Sequence, residues 1–185
     1  MKILLVGEFS RLHNSLKEGL EALGHKVLLI GTGDLFKNYP VDINIDSRWF
    51  KSGLTLFIRK IILKVSGFDL AHYEIAKRFR KELPTLKDFD VVQLINEDAL
   101  GIRPEMQIPL LEILFRQNKS IFLLSCGDDY INIKHYLDQK ERYSILTPYL
   151  NDTTNVKKYR YSLKYVSPSY VKLHEFIYTN IIGVI

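Results

Sequence analysis

The sequence holds one cysteine, Cys126, one tryptophan and two methionines among 185 residues, and it contains no apolar run of membrane-spanning length. Each shortage excludes something. A single thiol forms no internal disulfide and builds no cysteine-type zinc site, so packing alone must hold the fold and a reducing cytoplasm is the expected compartment. A transmembrane helix needs about 18 to 20 uninterrupted apolar residues. The opening Met1-Lys2 runs straight into Ile3-Leu4-Leu5-Val6-Gly7, which is too short for a signal-peptide core and has no small-residue cleavage site. Internal repeats and low-complexity tracts are missing as well. Neither a G-x-G-x-x-G fingerprint nor a Walker A lysine occurs, and His72, His135 and His174 lack a spacing such as H-E-x-x-H, so no metal site is expected.

What is present is a chain 46% hydrophobic and 25% charged, enough to bury a core and unlike a disordered composition. Its net charge of +5 is unevenly placed. Residues 48–87 carry ten basic side chains against three acidic ones, a local +7 that leaves −2 for the remainder. A concentrated basic region points to an anionic surface or ligand.

Residues 2–6 are a short apolar run closed by Gly7. Residues 15–23 follow with Leu16, Leu20 and Leu23 at helical spacing before Gly24, and residues 26–30 form a second apolar run ending at Gly31. This is a strand-helix-strand unit with a right-handed parallel crossover. The continuous apolar runs at 90–95 and 120–125 read as strands covered on both faces. They are joined by a helix over 109–117, with Pro109 in its first turn. Residues 163–166 read as a fifth strand, 169–178 as a helix capped by Ser167 or Ser169, and 181–185 as a sixth strand. The predicted fold class is α/β: a Rossmann-like, doubly wound, mostly parallel sheet with helices on both faces, as one domain over 1–185. An ending on a bare apolar strand is expected of a domain cut from a longer chain.

Residues 47–82 interrupt the alternation with two consecutive helical segments. Phe50, Leu54, Phe57, Ile58, Ile61, Ile62 and Val65 share one helical face, with Lys51, Arg59, Lys60 and Lys64 around it. The favoured expectation is a helix packed between the sheet and its neighbour. The competing one is a helix lying on an anionic membrane with those four cations facing the headgroups.

Ligands in open parallel sheets bind beyond the carboxyl ends of the strands. Four loops qualify. The first, 7–15, brings Gly7, Glu8, Ser10, Arg11 and His13 to a helix N-terminus whose amides favour an anion. The second, Gly31-Thr32-Gly33-Asp34, has two glycines but no acidic residue at the strand end to grip a ribose. The third holds Asn96, Glu97 and Asp98, and the fourth Cys126, Gly127, Asp128 and Asp129. The pair Asp128 and Asp129 either holds a cation with a phosphate, making them the catalytic candidates, or caps the helix predicted at 130–136, and capping is preferred. Cys126 reads as a small buried residue rather than a nucleophile. The stretch 157–165 interleaves cations with tyrosines, which suits single-stranded nucleic acid, but alternation along a solvated strand explains it equally and no nucleic-acid partner is expected.

The order of these features resembles the N-terminal half of GT-B glycosyltransferases, in particular the retaining, glycogen-synthase-like and capsule-polysaccharide class. The resemblance rests on Leu20-Glu21-Ala22-Leu23-Gly24-His25-Lys26-Val27, on Asp90-Val91-Val92-Gln93-Leu94, on Ser125-Cys126-Gly127-Asp128-Asp129, on Tyr165-Val166-Ser167-Pro168-Ser169 and on the closing Ile181-Ile182-Gly183-Val184-Ile185. It implies a hexosyltransferase whose present half binds a glycan or lipid-linked acceptor. A second, donor-binding half with an E-x7-E element would take the nucleotide-sugar, which is a substrate, so no cofactor is implied. Residues 7–13 would border acceptor and donor phosphates, and the basic helices would form a peripheral docking surface on the inner face of a membrane. Cys126 and Gly127 stand where many members carry a histidine, which weakens any catalytic role for Asp128 or Asp129. Alternatives are a nucleotide- or metabolite-binding Rossmann domain of another enzyme class, or a basic membrane-docking module.

Overall fold

A computed structural model describes residues 1–34, 37–139 and 142–185. The chain is an α/β protein built on a six-stranded, all-parallel sheet flanked by helices. The strands are β1 (Lys2–Val6), β2 (Lys26–Gly31), β3 (Ile43–Asn44), β4 (Val91–Leu94), β5 (Ile121–Leu123) and β6 (Gly183–Val184), in the spatial order β3-β2-β1-β4-β5-β6. The helices are α1 (Leu12–Ala22), α2 (Gly53–Ser66), α3 (Leu70–Glu82), α4 (Pro104–Arg116), α5 (Tyr130–Leu137), α6 (Thr147–Asn151), α7 (Val156–Leu163) and α8 (Pro168–Asn180).

The period-two alternation of β1 sorts its side chains onto two cores. Ile3 and Leu5, with Leu29 of β2, face Leu16 and Leu20 of α1 on one side of the sheet. Leu4 and Val6 join Val92, Leu94, Ile121 and Leu123 on the other, beneath Phe79 of α3, Leu111 and Leu114 of α4, and Leu173 and Ile177 of α8. Both faces are therefore covered, which explains why β4 and β5 read as continuous apolar runs rather than alternating ones.

Several predicted elements shift. Residues 163–166 are not a strand: Leu163 ends α7, and Lys164–Val166 is a 3-10 turn. Tyr165 turns inward with Ile133 and Leu146 to make a small separate core among α5, α6 and α7. A segment of only four residues, Leu163-Lys164-Tyr165-Val166, is too short for its period to distinguish strand from helix, so tertiary packing decides. The 157–165 stretch is accordingly helical rather than an alternating strand. Helix α4 starts at Pro104, where a missing N–H costs nothing, so Pro109 lies inside the helix rather than in its first turn. The short edge strand β3, with Ile43 beside Ile30, went unanticipated.

The largest departure is α2. No residue of this helix is buried, and Leu54, Phe57, Ile61 and Val65 are 73, 61, 46 and 82% exposed. The favoured expectation of a helix packed between sheet and neighbour fails. The apolar stripe points outward, and the half-buried side is formed by Thr55, Leu56, Arg59 and Ile62. Among the described residues no helix is long and apolar enough to cross a membrane.

Candidate functional site

The chain runs outward from β1 to β2 and β3, then returns to β4 on the other side of β1, so the carboxyl ends of β1 and β4 flank the topological switch point. Loops that leave adjacent strands in opposite directions open a crevice there. Its floor is set by Gly7, whose φ of 86° is left-handed. A Cβ on it would stand 2.4 Å from Cγ2 of Ile95 and 2.8 Å from the carbonyl oxygen of Ala99. Only glycine permits both the turn and the close approach of the two loops.

Glu8 follows and is 1% exposed. One carboxylate oxygen accepts from the Asn14 amide at 2.8 Å and from Asn14 Nδ2 at 2.6 Å, while Oε1 is buried without a partner. Burial, with a smaller push from the Asp34 charge, raises its pKa above the usual 4.5, against the opposing pull of the Asn14 hydrogen bonds and of the nearby Arg11 amide. The first turn of α1 was expected to offer free amides to an anion. Glu8 occupies that place with its own carboxylate, capping the helix from within the loop and repelling a second negative charge. Ser10 and Arg11 turn the loop over with φ of 53° and 66°. The Ser10 amide donates to the Asp34 carboxylate at 2.9 Å, while Arg11 points outward to Glu18 at 2.7 Å.

His13 is fully buried under the sheet rather than in the crevice. Nδ1 donates to the Gly7 carbonyl at 2.7 Å, which leaves Nε2 to accept from Nε2 of Gln93 at 3.3 Å, and burial pushes its pKa down to about 4. A neutral ring with both nitrogens engaged braces the β1 loop against β4 and offers nothing to a ligand.

Asn96, 5% exposed, forms the opposite wall. Its Nδ2 donates to Tyr165 Oη at 3.3 Å and to the Cys126 carbonyl at 3.4 Å, and its Oδ1 is a second buried acceptor without a partner. Cys126, between these walls, is half-buried. Burial, reinforced by the charges of Glu8 and Asp34, pushes its thiol up, so a nucleophilic thiolate is disfavoured. Asp34 is the member of this group that sequence reasoning passed over. Its only signal was its place after the glycines of the second loop.

Glu97 and Asp98 turn away from the crevice, toward the C-terminal helices. Glu97, fully buried, accepts from Nδ1 of His174 at 2.6 Å, and His174 sits between Tyr130 and Tyr178 at ring-centroid distances of 4.5 and 4.2 Å. Asp98 accepts from Lys164 Nζ at 2.6 Å and from the Tyr170 hydroxyl at 3.1 Å, with Oδ1 buried and unpartnered. Burial raises both carboxyls, outweighing these partners. His174, Lys164 and Tyr170 lie 66 to 77 residues away in sequence, and no local spacing marks them as partners.

The remaining candidates are engaged in bracing. Asp129 caps α5, accepting from the Asn132 amide at 2.7 Å and from the Ser125 hydroxyl, so the capping reading holds. Asp128 accepts from the Ser162 hydroxyl at 2.5 Å and ties the loop to α7. Gly127 supplies the left-handed turn between them and β5, with φ of 79°. Among the described residues no group of three or more His, Cys, Asp or Glu side chains is placed to hold a metal.

Of the four cations assigned to a membrane-facing surface, Arg59 is elsewhere. It makes a bidentate pair with Asp69 at 2.6 and 2.7 Å and fastens α2 to the start of α3. Lys51 pairs with Asp46, while Lys60 and Lys64 stand exposed on α2. The Arg103 guanidinium donates to the Gly67 carbonyl at 2.6 Å, which fixes the C-terminal end of α2 beside the loop after β4.

Compared with known proteins, the chain is matched by no protein-family model, no curated protein and no solved structure.

Proposed function

We propose that this chain is the acceptor-side half of a glycosyltransferase that moves a hexose from a nucleotide-sugar to a glycan or lipid-linked acceptor. The observation that carries the reading is the pair of buried, unpartnered acceptor oxygens, Glu8 Oε1 and Asn96 Oδ1, in the loops that leave β1 and β4 at the switch point. A buried acceptor left without a donor costs about 1 to 3 kcal/mol, so the crevice favours a ligand that brings hydroxyl hydrogens. A polyol does so. A dinucleotide does the reverse, since its pyrophosphate needs helix-start amides and Glu8 already caps that helix with a negative charge.

In this reading the 7–11 and 95–98 loops part to admit the acceptor, one hydroxyl then donates to Glu8 and its neighbour on the sugar ring to Asn96, and the orientation of the attacking oxygen is fixed. Burial makes the Glu8 carboxylate a stronger proton acceptor. The positive charge that stabilises a leaving diphosphate belongs to the donor half.

Titration of this 185-residue chain with neutral oligosaccharides, NAD and ATP, followed by amide chemical shifts, tests the proposal. Saccharide binding that perturbs the 7–11 and 95–98 loops is expected, weakened roughly tenfold by Asn96→Ala. No transfer from nucleotide-sugars is expected of this half alone. Tight binding of NAD or ATP with no saccharide response overturns the reading, as does sugar transfer by this chain alone.

A further inference from the structure

Helix α2 is held to the rest of the molecule from one side. Arg59 grips Asp69, and Leu56 and Ile62 lie half-buried beside it. The opposite side carries Leu54, Phe57, Ile61 and Val65 at positions that fall within about one quarter of the helical circumference, all exposed, with Ile58 at one margin. Trp49, the single tryptophan of the chain, is 74% exposed just before the helix. Monomeric proteins seldom leave so continuous an apolar stripe in water, and the arrangement needs an occupant.

The charges around the stripe select among occupants. Lys60 and Lys64 border it on the flank opposite Ile58, both exposed and without an ion-pair partner among the described residues. Helix α2 contains no acidic residue. Carboxylates of the neighbouring segments are already engaged: Asp69 by Arg59, Asp46 by Lys51, and Glu74 by the Ser47 hydroxyl and the amides of Arg48 and Trp49. The surface is therefore apolar and cationic with no anionic component. Two copies meeting through it face to face bring like charges together, which disfavours a symmetric dimer. A bilayer bearing anionic lipid satisfies both components at once, with apolar side chains at the acyl boundary, lysines at the phosphates and a tryptophan at the interface.

We propose that α2 docks this protein on an anionic lipid bilayer, with Leu54, Phe57, Ile61 and Val65 inserted and Lys60 and Lys64 at the headgroup phosphates. Docking is independent of the sugar-transfer reading and is tested without any saccharide.

The test is flotation of the full chain with vesicles of phosphatidylcholine alone and of phosphatidylcholine mixed equally with phosphatidylglycerol. Trp49 emission is followed in the same samples. Binding to the mixed vesicles only, with a blue shift of Trp49, is expected. Each of Lys60→Gln and Lys64→Gln lowers partitioning about fivefold. The double variant Phe57→Ser/Ile61→Ser lowers it by roughly tenfold or more. These positions are exposed, so an unchanged thermal melt shows that the variants fold. Failure to bind mixed vesicles overturns the proposal, as does binding that ignores the Phe57/Ile61 pair. Sedimentation equilibrium supplies a further check, since a dimer abolished by the same pair assigns the stripe to a second copy instead.

Discussion

Nδ1 of His174 donates to a carboxylate oxygen of Glu97 across 2.6 Å, joining the loop after β4 to the middle of α8. Glu97 is fully buried and the His174 side chain is 14% exposed, so the contact has little screening by water. Its neighbour Asp98 repeats the arrangement with Lys164, so the two carboxylates clamp one wall of the crevice to the C-terminal helices. Removing one partner of such a pair leaves a buried polar group uncompensated. We expect His174→Ala to destabilise the fold by about 2 to 4 kcal/mol. In a double-mutant cycle with Glu97→Ala, a coupling of about 1 to 3 kcal/mol by urea unfolding is expected. Additive effects would show that the pair is incidental.

Gly7 is the point where the two crevice loops touch. A methyl group there meets Ile95 and the Ala99 carbonyl and also sits at positive φ. Gly7→Ala is expected to lose about 2 to 4 kcal/mol, combining overpacking with backbone strain. Gly24→Ala, also at positive φ but with open space around it, is expected to lose about 1 kcal/mol. Equal losses at the two sites would contradict the close approach of the loops.

His13 makes stability depend on pH. Burial lowers its pKa to about 4 from the ordinary 6.5, so the unfolded chain binds a proton that the folded chain refuses between those values. Stability from this group is therefore complete above about pH 6.5 and lost as pH falls toward 4, by about 3 kcal/mol in all. The buried carboxyls of Glu8, Glu97 and Asp98 are shifted upward and act in the opposite sense, so the comparison must be made between wild type and His13→Gln. The difference in unfolding free energy between the two should shrink from pH 7 to pH 4. A constant difference would place His13 in water.

Arg59 fastens a helix that has no buried residue. Arg59→Met removes both hydrogen bonds to Asp69 and is expected to cost about 1 to 2 kcal/mol, confined to α2. Hydrogen exchange should quicken across 53–66 while β1 and β4 stay protected. Uniform quickening would mean that α2 unfolds only with the sheet.

The sheet was legible because its strands are apolar runs punctuated by glycine, and a run buried on both faces survives as a pattern in one dimension. The placement of Gly7, Glu8 and Asn96 just beyond β1 and β4 was legible from the ends of those runs. Asp129 declared itself as a helix cap three residues before the amide it accepts from. Residues 163–166 and the 157–165 alternation were not decidable, because the core formed by Ile133, Leu146 and Tyr165 assembles from segments that are separate in sequence.

The sequence by itself determined the alternation of strand and helix, the parallel crossovers and the basic middle region, all of which follow from local periodicity and composition. Tertiary structure decided what the polar residues do. His13 turned inward, Glu8 closed its own helix, and Glu97 and Asp98 found His174 and Lys164 across 66 or more residues. It also decided which face of α2 meets water. An amphipathic pattern fixes that a helix has two faces, whereas the Arg59–Asp69 pair, a contact between helices, fixes which one packs against the rest of the protein.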